Sequence, residues 1–181
     1  MADLVHVPFR TLWANYPDDD PCVNKAGDPP PGWGNQCAVR VSTALTRSGV
    51  SLDSFHGARC PTGGPNDMVG SAEKLADWLA TKKRFANQGT TARLPPRSFE
   101  DVVAGQSGII FFANYWRRAG QHTGPGTGDH IDLWDGSGLT NGFMSLLRFT
   151  LGIDSIGMPF SDENWYSDLH QSSEIRFWRV P

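Results

Sequence analysis

Residues 32–42 read Gly32-Trp33-Gly34-Asn35-Gln36-Cys37-Ala38-Val39-Arg40-Val41-Ser42, and our interpretation of the fold starts from this stretch. A loop rich in glycine and proline runs up to Asn35, and a helical pattern begins at about Cys37. A thiol in the first turn of a helix lies beside free backbone N–H groups and the positive end of the helix dipole, which favour the thiolate. We therefore predict that Cys37 is a catalytic nucleophile.

Length and composition indicate one domain that spans residues 1–181. The net charge is −3 and lysine and arginine form no basic tract, so a nucleic-acid partner is not expected. The first residues have neither the basic nor the apolar region of a secretory signal peptide, and no apolar run reaches the roughly 18 residues of a membrane span. We expect a protein that starts in the cytoplasm without a signal peptide or a membrane span.

Hydrophobic periodicity places helices in the first half of the chain and strands in the second. Residues 9–16 form an amphipathic helical segment, whose aromatic side chains we expect in the core. Further helical patterns cover residues 36–48, 71–83 and 98–104. In the first of these, Ala38, Val41, Ala44 and Leu45 form an apolar stripe, and we expect Gly49 to end the helix. Strand patterns cover residues 108–116, 129–134 and 174–180. This order predicts an α+β fold, with N-terminal helices packed on a C-terminal antiparallel sheet.

A thiol nucleophile needs a general base, which is most often a histidine. The chain offers five candidates: His6, His56, His122, His130 and His170. His130 stands at the start of a predicted strand, after a glycine-rich loop, where a strand can present it to a helix. We therefore predict that His130 is the base, against the alternative that it has a structural role only. His122, in that loop, is either a substrate contact or has no part in the reaction.

The base in turn needs a partner that orients its ring. Asp132 shares a strand face with His130, because side chains two residues apart on a strand point the same way. Asn141 lies beyond the turn signal Asp135-Gly136, and an asparagine can hold one tautomer of a histidine. The residues alone leave both candidates open.

The reaction also needs donors for the oxyanion that forms when the thiolate attacks. We expect the backbone N–H of Cys37 to be one donor, and the side-chain amide of Asn35 or Gln36 to be a second donor or a substrate contact. Arg40 follows on the same helix, and we favour a structural ion pair over a contact with a substrate carboxylate.

Two further cysteines, Cys22 and Cys60, each lie beside a proline in a loop-like region. They either form a disulfide or remain as two unreactive thiols, because pairing cannot be read from sequence. The cysteines and histidines do not follow zinc-site spacing, and the glycines do not follow a nucleotide-binding pattern. We therefore expect no metal and no cofactor.

Two motifs resemble those of a known family. The stretch Gly34 to Ser42 and the later run Gly128-Asp129-His130-Ile131-Asp132-Leu133-Trp134 are similar to the group 4 amidase effectors of type VI secretion. The resemblance implies a papain-like fold of the NlpC/P60 type, with Cys37 as nucleophile and His130 as base. The third residue of the family, an aspartate, falls on Asn141 here. We expect Asn141 to orient His130 as an asparagine does in papain-like enzymes, with Asp132 as the alternative.

The resemblance also implies activity, partners and site of action. Family members are cysteine amidases that cut the peptide stem of peptidoglycan between D-glutamate and meso-diaminopimelate. The type VI secretion apparatus injects them into the periplasm of rival bacteria, and a cognate immunity protein protects the producer by blocking the active site. Such export needs no signal peptide, and an oxidising destination agrees with a Cys22–Cys60 disulfide formed on arrival.

Two other functions stay open at this point. One is a papain-like protease or a transglutaminase-type enzyme that acts on proteins. The other is a non-enzymatic binding module in which Cys37 is a buried core thiol.

Overall fold

The structure is a computed structural model that describes residues 7–62, 68–81, 92–116, 126–140 and 169–181. The chain divides into two compact units. Unit 1 contains Met1–Thr90 and Val180–Pro181, and unit 2 contains Thr91–Arg179. The single domain expected from the sequence stays a prediction.

Three helices lie in the part of unit 1 that the structure describes: α1 at Phe9–Ala14, α2 at Cys37–Arg47 and α3 at Ala72–Thr81. Helix α2 carries the apolar stripe seen in the sequence, and Val39, Val41 and Leu45 on it are fully buried. The predicted helix end is confirmed, because Gly49 has a φ of 87°, a left-handed conformation that ends helices. The predicted continuation of α3 through Lys82 and Lys83 lies outside the described residues.

Helix α1 is shorter and more exposed than its sequence pattern predicts. Leu12 is fully buried, but 36% of Trp13 is exposed, so the expectation that its aromatic side chains all lie in the core is wrong. The ring of Trp13 packs against Phe9, with 5.5 Å between the ring centroids. The N–H of Phe9 also donates to the carbonyl of Pro181 (2.8 Å), which fixes the C-terminus to the start of this helix.

The described residues of unit 2 form an antiparallel four-stranded sheet with one short helix and one 3₁₀ turn. Its strands are β1 at Ala92–Leu94, β2 at Gly108–Trp116, β3 at Gly128–Trp134 and β4 at Glu174–Arg179. Helix α4 spans Phe99–Val103, and the 3₁₀ turn spans Leu169–Gln171. The strand order is β1-β4-β2-β3. The sequence pattern missed β1, and β1 makes the last strand of the chain an inner strand of the sheet.

Aromatic rings hold α4 against one face of this sheet. Phe99 makes edge-to-face contacts with Phe112 on β2 and with Trp134 on β3, at centroid distances of 5.2 and 6.1 Å. The indole N–H of Trp134 donates to the carbonyl of Val103 (3.1 Å). Helices that precede an antiparallel sheet confirm the predicted α+β class. No helix in the described part of the chain is long and apolar enough to cross a membrane.

Candidate active site

Cys37 is the first residue of α2, so it lies at a helix start as predicted. The side chain is buried, with 7% of the residue exposed, and its thiol is free. Because the other two cysteines are joined to each other, Cys37 is the one free thiol among the three cysteines of the chain.

The two residues before Cys37 hold the helix start in different ways. The side-chain oxygen of Asn35 accepts a hydrogen bond from the N–H of Cys37 (3.3 Å). Asn35 thus caps the helix through its side chain, although the N-cap position itself belongs to Gln36. The amide of Gln36 is buried and faces Cys22, so it has a structural role here. A contact of Asn35 or Gln36 with an oxyanion or a substrate stays a prediction.

A disulfide between Cys22 and Cys60 braces the loop that precedes α2. The two Cα atoms lie 5.9 Å apart, and the bridge spans 38 residues of chain. The segment around Cys60 is held in turn by its N–H, which donates to the carbonyl of Met68 (2.9 Å). The N–H of Val69 then donates to the buried hydroxyl of Ser42 on α2 (3.0 Å). These bonds connect the disulfide to Ser42, at the end of the sequence stretch that carries Cys37.

Arg40 forms the structural ion pair that the sequence favoured. Its Nη2 lies 2.7 Å from the Oδ1 of Asp20, and its Nε donates to the carbonyl of Asp19 (3.1 Å). The guanidinium therefore fixes the acidic loop that follows α1 to the first turns of α2.

His130 lies on β3, opposite Phe112 of β2 in the antiparallel register. The ring of Phe112 stacks on the imidazole at a centroid distance of 6.5 Å, and the ring of Tyr115 meets it edge to face at 6.3 Å. Two aromatic side chains thus limit how the imidazole can turn, and 21% of its side chain stays exposed.

A backbone irregularity in β2 brings Tyr115 to this place. The register of β2 against β3 shifts between Phe112 and Trp116, and Asn114 within the shift has a φ of 55°. The carboxylate of Asp129 accepts from the N–H of Asn114 (3.0 Å), and the side chain of Asn114 donates to Ser173 (3.0 Å). Such bulges often redirect side chains near functional sites.

Asp132 is the carboxylate that contacts the imidazole. Its Oδ2 lies 3.3 Å from the Nε2 of His130, and only 1% of its side chain is exposed. Its Oδ1 accepts from the N–H of Leu133 (2.8 Å) and from the hydroxyl of Thr140. The shared strand face of His130 and Asp132 therefore gives the contact that the sequence pattern indicated.

The sequence analysis did not identify Thr140, which the turn after β3 places beside Asp132. The Oδ1 of Asp135 accepts from the N–H groups of Ser137 and Gly138, and Trp134 forms an antiparallel bridge with Leu139. Thr140 follows this bridge directly. The sequence signal that could have identified Thr140 is the turn Asp135-Gly136, because a tight turn after β3 places the following residues alongside that strand.

The other predicted site residues fall into two groups. His170 pairs with Glu100 (2.9 Å), and His56 is exposed on the surface. Asn141, His6 and His122 lie outside the described residues, so their roles stay predictions. Among the residues that are described, no three histidine, cysteine, aspartate or glutamate side chains are grouped to hold a metal ion.

A free cysteine at a helix start and a histidine beside a buried carboxylate are parts typical of cysteine hydrolases. The chain belongs to the family of type VI secretion system (T6SS) amidase effector protein 4, Tae4, whose model matches residues 33–178. The resemblance seen in the sequence is therefore confirmed, and the chain is a peptidoglycan amidase effector of type VI secretion. No curated protein sequence matches it significantly.

Solved structures show the same fold at low sequence identity. The effector Tae4 from Salmonella typhimurium, in complex with the immunity Tai4 from Enterobacter cloacae, matches with a TM-score of 0.57 and 16% identity, over 97% of this chain and 99% of that chain. The Tae4–Tai4 effector–immunity complex from Enterobacter cloacae matches with a TM-score of 0.52 and 17% identity, over 98% and 100%.

Proposed function

We propose that this amidase is a cysteine endopeptidase that cuts the bond between γ-D-glutamate and meso-diaminopimelate in the peptide stem. The observation that carries the proposal is the free thiol of Cys37 at the first residue of α2. At that position the backbone N–H groups of the first turn can donate to a bound oxyanion. The family match includes this residue and His130.

The reaction that we propose has two steps. His130 takes the proton of the Cys37 thiol, and the resulting thiolate attacks the γ-carbonyl carbon of D-glutamate. The N–H of Cys37, which donates to the side-chain oxygen of Asn35 in the free protein, then donates to the oxyanion instead. His130 gives its proton to the leaving amine as the carbon–nitrogen bond breaks, which leaves a thioester. His130 then takes a proton from a water molecule, the water attacks the thioester, and the Cys37 thiolate leaves.

Asp132 is our candidate for the residue that orients His130. A carboxylate accepts hydrogen bonds and cannot donate them, so its contact with Nε2 places the ring hydrogen there and leaves Nδ1 to exchange protons with Cys37. Asn141, which the resemblance favours, is the alternative. Cleavage rates of D132A and N141A decide between them, because replacing the residue that orients the base lowers the activity of the enzyme more.

The test is mass spectrometry of the products from defined muropeptides. Wild-type protein is expected to release fragments that end at D-glutamate, and C37A and H130A are expected to release none while they remain folded. H56A is the matched control, because it removes an exposed histidine. Wild-type rates from C37A would overturn the proposed nucleophile.

The same preparation separates the alternative functions. Cleavage or cross-linking of unfolded casein, without cleavage of muropeptides, would show an enzyme that acts on proteins. If Cys37 reacts slowly with a small alkylating reagent and the protein does not cleave muropeptides, the protein is a binding module.

We further propose that the enzyme acts in the periplasm of a target bacterium and that a cognate immunity protein blocks it. Two observations support this: the disulfide suits an oxidising compartment, and the similar solved structures are effector–immunity complexes. Co-expression in the periplasm with and without the immunity protein tests it. Lysis that the immunity protein does not prevent would contradict the second part.

A further inference from the structure

The hydroxyl of Thr140 and the imidazole of His130 contact opposite oxygens of one buried carboxylate. Thr140 donates to the Oδ1 of Asp132, and His130 lies 3.3 Å from Oδ2. We propose that Thr140 is a positioning residue, which fixes the rotation of the Asp132 carboxylate and thereby the tautomer and orientation of His130. This inference rests on the proposed role of His130 as the base.

Burial is the reason that one hydroxyl has this effect. The side chain of Asp132 is 1% exposed, so water cannot replace a lost donor. Among the described residues, the other donor to Oδ1 is the N–H of Leu133, which belongs to the adjacent residue on the strand and moves with the backbone. Thr140 is therefore the side chain that opposes rotation of the carboxylate away from the imidazole.

The turn between Asp132 and Thr140 is built to hold this contact. The Asp135 carboxylate accepts three hydrogen bonds, two from Ser137 and one from the N–H of Gly138, each 2.8 Å long. The N–H of Gly105 donates to the carbonyl of Gly136 (2.9 Å), which ties the turn to the end of α4. The hydroxyl therefore reaches Asp132 from a fixed backbone position.

The experiment compares T140V, T140S, D132N and the double variant T140V/D132N in muropeptide cleavage. T140V keeps the shape of the side chain but removes the donor, and T140S restores the donor. We expect T140V to lower kcat by about tenfold with an unchanged KM, within the ~100- to 10,000-fold contribution of general acid–base catalysis. T140S is expected to retain most of the activity.

The double variant distinguishes positioning through Asp132 from a general structural effect. If Thr140 acts only through Asp132, T140V adds no further loss to D132N. T43V is the matched control, because Thr43 is a buried threonine whose hydroxyl has no hydrogen-bond partner among the described residues. Equal activities of T140V and T43V, or a full additional loss in the double variant, would overturn the proposal.

A second readout does not depend on the substrate. Nitrogen-15 NMR of the histidine rings in C37A protein reports which nitrogen of His130 carries the hydrogen. We expect Nε2–H in the parent and mixed tautomers in T140V, and T140A is measured in the same way if T140V folds poorly. An unchanged tautomer would contradict the role of Thr140. Full cleavage by H130A would instead contradict the proposed function, whatever the NMR result.

Discussion

The side-chain amide of Gln36 makes two hydrogen bonds with the backbone of Cys22, one through its oxygen and one through its nitrogen. Its Oε1 accepts from the N–H of Cys22 and its Nε2 donates to the carbonyl of the same residue, each at 2.8 Å. Because Gln36 immediately precedes Cys37 and Cys22 is in the disulfide, this pair connects the candidate nucleophile to the crosslinked loop. Gln36 is 3% exposed and Cys22 is fully buried, so both bonds are shielded from water.

Replacing Gln36 by alanine is expected to lower the free energy of unfolding by roughly 3 kcal/mol, because it leaves two buried backbone groups of Cys22 without partners. Urea unfolding of Q36A measures this loss. The matched control is N24A, since Asn24 makes the same kind of side-chain bonds to Ala26 and Asp28 at an exposed site. Equal losses in Q36A and N24A would contradict a structural role for Gln36.

Reduction of the Cys22–Cys60 disulfide is expected to lower the free energy of unfolding by about 4 kcal/mol. The reason is that the intact disulfide closes a loop in the unfolded chain and so lowers its conformational entropy. Urea unfolding of C37A with and without a thiol reductant gives the value, because C37A has no third thiol to exchange. The variant C22A/C60A/C37A should not respond to reductant. A response there would mean that the reductant acts elsewhere.

Gly70 lies directly under the indole of Trp33, where a Cβ atom would overlap the ring at Cη2. G70A is therefore expected to displace the ring and to lose about 1–3 kcal/mol of stability through overpacking. Thermal or urea unfolding measures the loss. G34A serves as the control, because a Cβ at Gly34 meets no atom within 4 Å. Equal stabilities of G70A and G34A would show that Trp33 is not held in this position.

The pKa of the Asp135 carboxyl lies below its ordinary value of 3.8. Burial acts to raise this pKa, but hydrogen bonds from the N–H and hydroxyl of Ser137 and from the N–H of Gly138 outweigh burial. A lowered pKa in the folded state adds stability above pH 3.8, and this contribution is lost as the pH falls through the folded value.

Wild type is therefore expected to be more stable than D135N at neutral pH, with a difference that shrinks as the pH falls below about 4. Because Asp135 is exposed, the difference should stay below about 1 kcal/mol. Urea unfolding over a pH series measures this difference, and S137A should reduce it by removing the hydroxyl donor while the backbone N–H of residue 137 stays. A difference that is constant with pH would contradict the hydrogen-bond origin of the pKa.

Local patterns were enough to predict much of this molecule. The apolar stripe and Gly49 predicted α2, and the alternation along β3 predicted that His130 and Asp132 share a face. These features depend on residues a few positions apart, where periodicity and turn chemistry act directly.

Contacts between distant segments were beyond the reach of those patterns. Strand β1 has three residues and exists because β4 pairs with it, which no local signal records. The structural role of Gln36 depends on Cys22, fourteen positions away, so the sequence pattern indicated only that Asn35 or Gln36 could be a second oxyanion donor or a substrate contact. Thr140 was missed because its contact with Asp132 follows from the three-dimensional course of the turn between them.

Asn114 offers a last prediction, because it is a non-glycine residue with a φ of 55° in the irregular part of β2. An alanine in this left-handed conformation costs about 1–2 kcal/mol, whereas glycine adopts it freely. We expect N114A to be less stable than N114G in urea unfolding, although both variants lose the bond to Ser173. N114A should also cleave muropeptides more slowly, since relaxation of the bulge moves Tyr115 from the ring of His130. An N114G variant that is less stable than N114A would mean that the Asn114 side chain, rather than its backbone conformation, maintains the bulge.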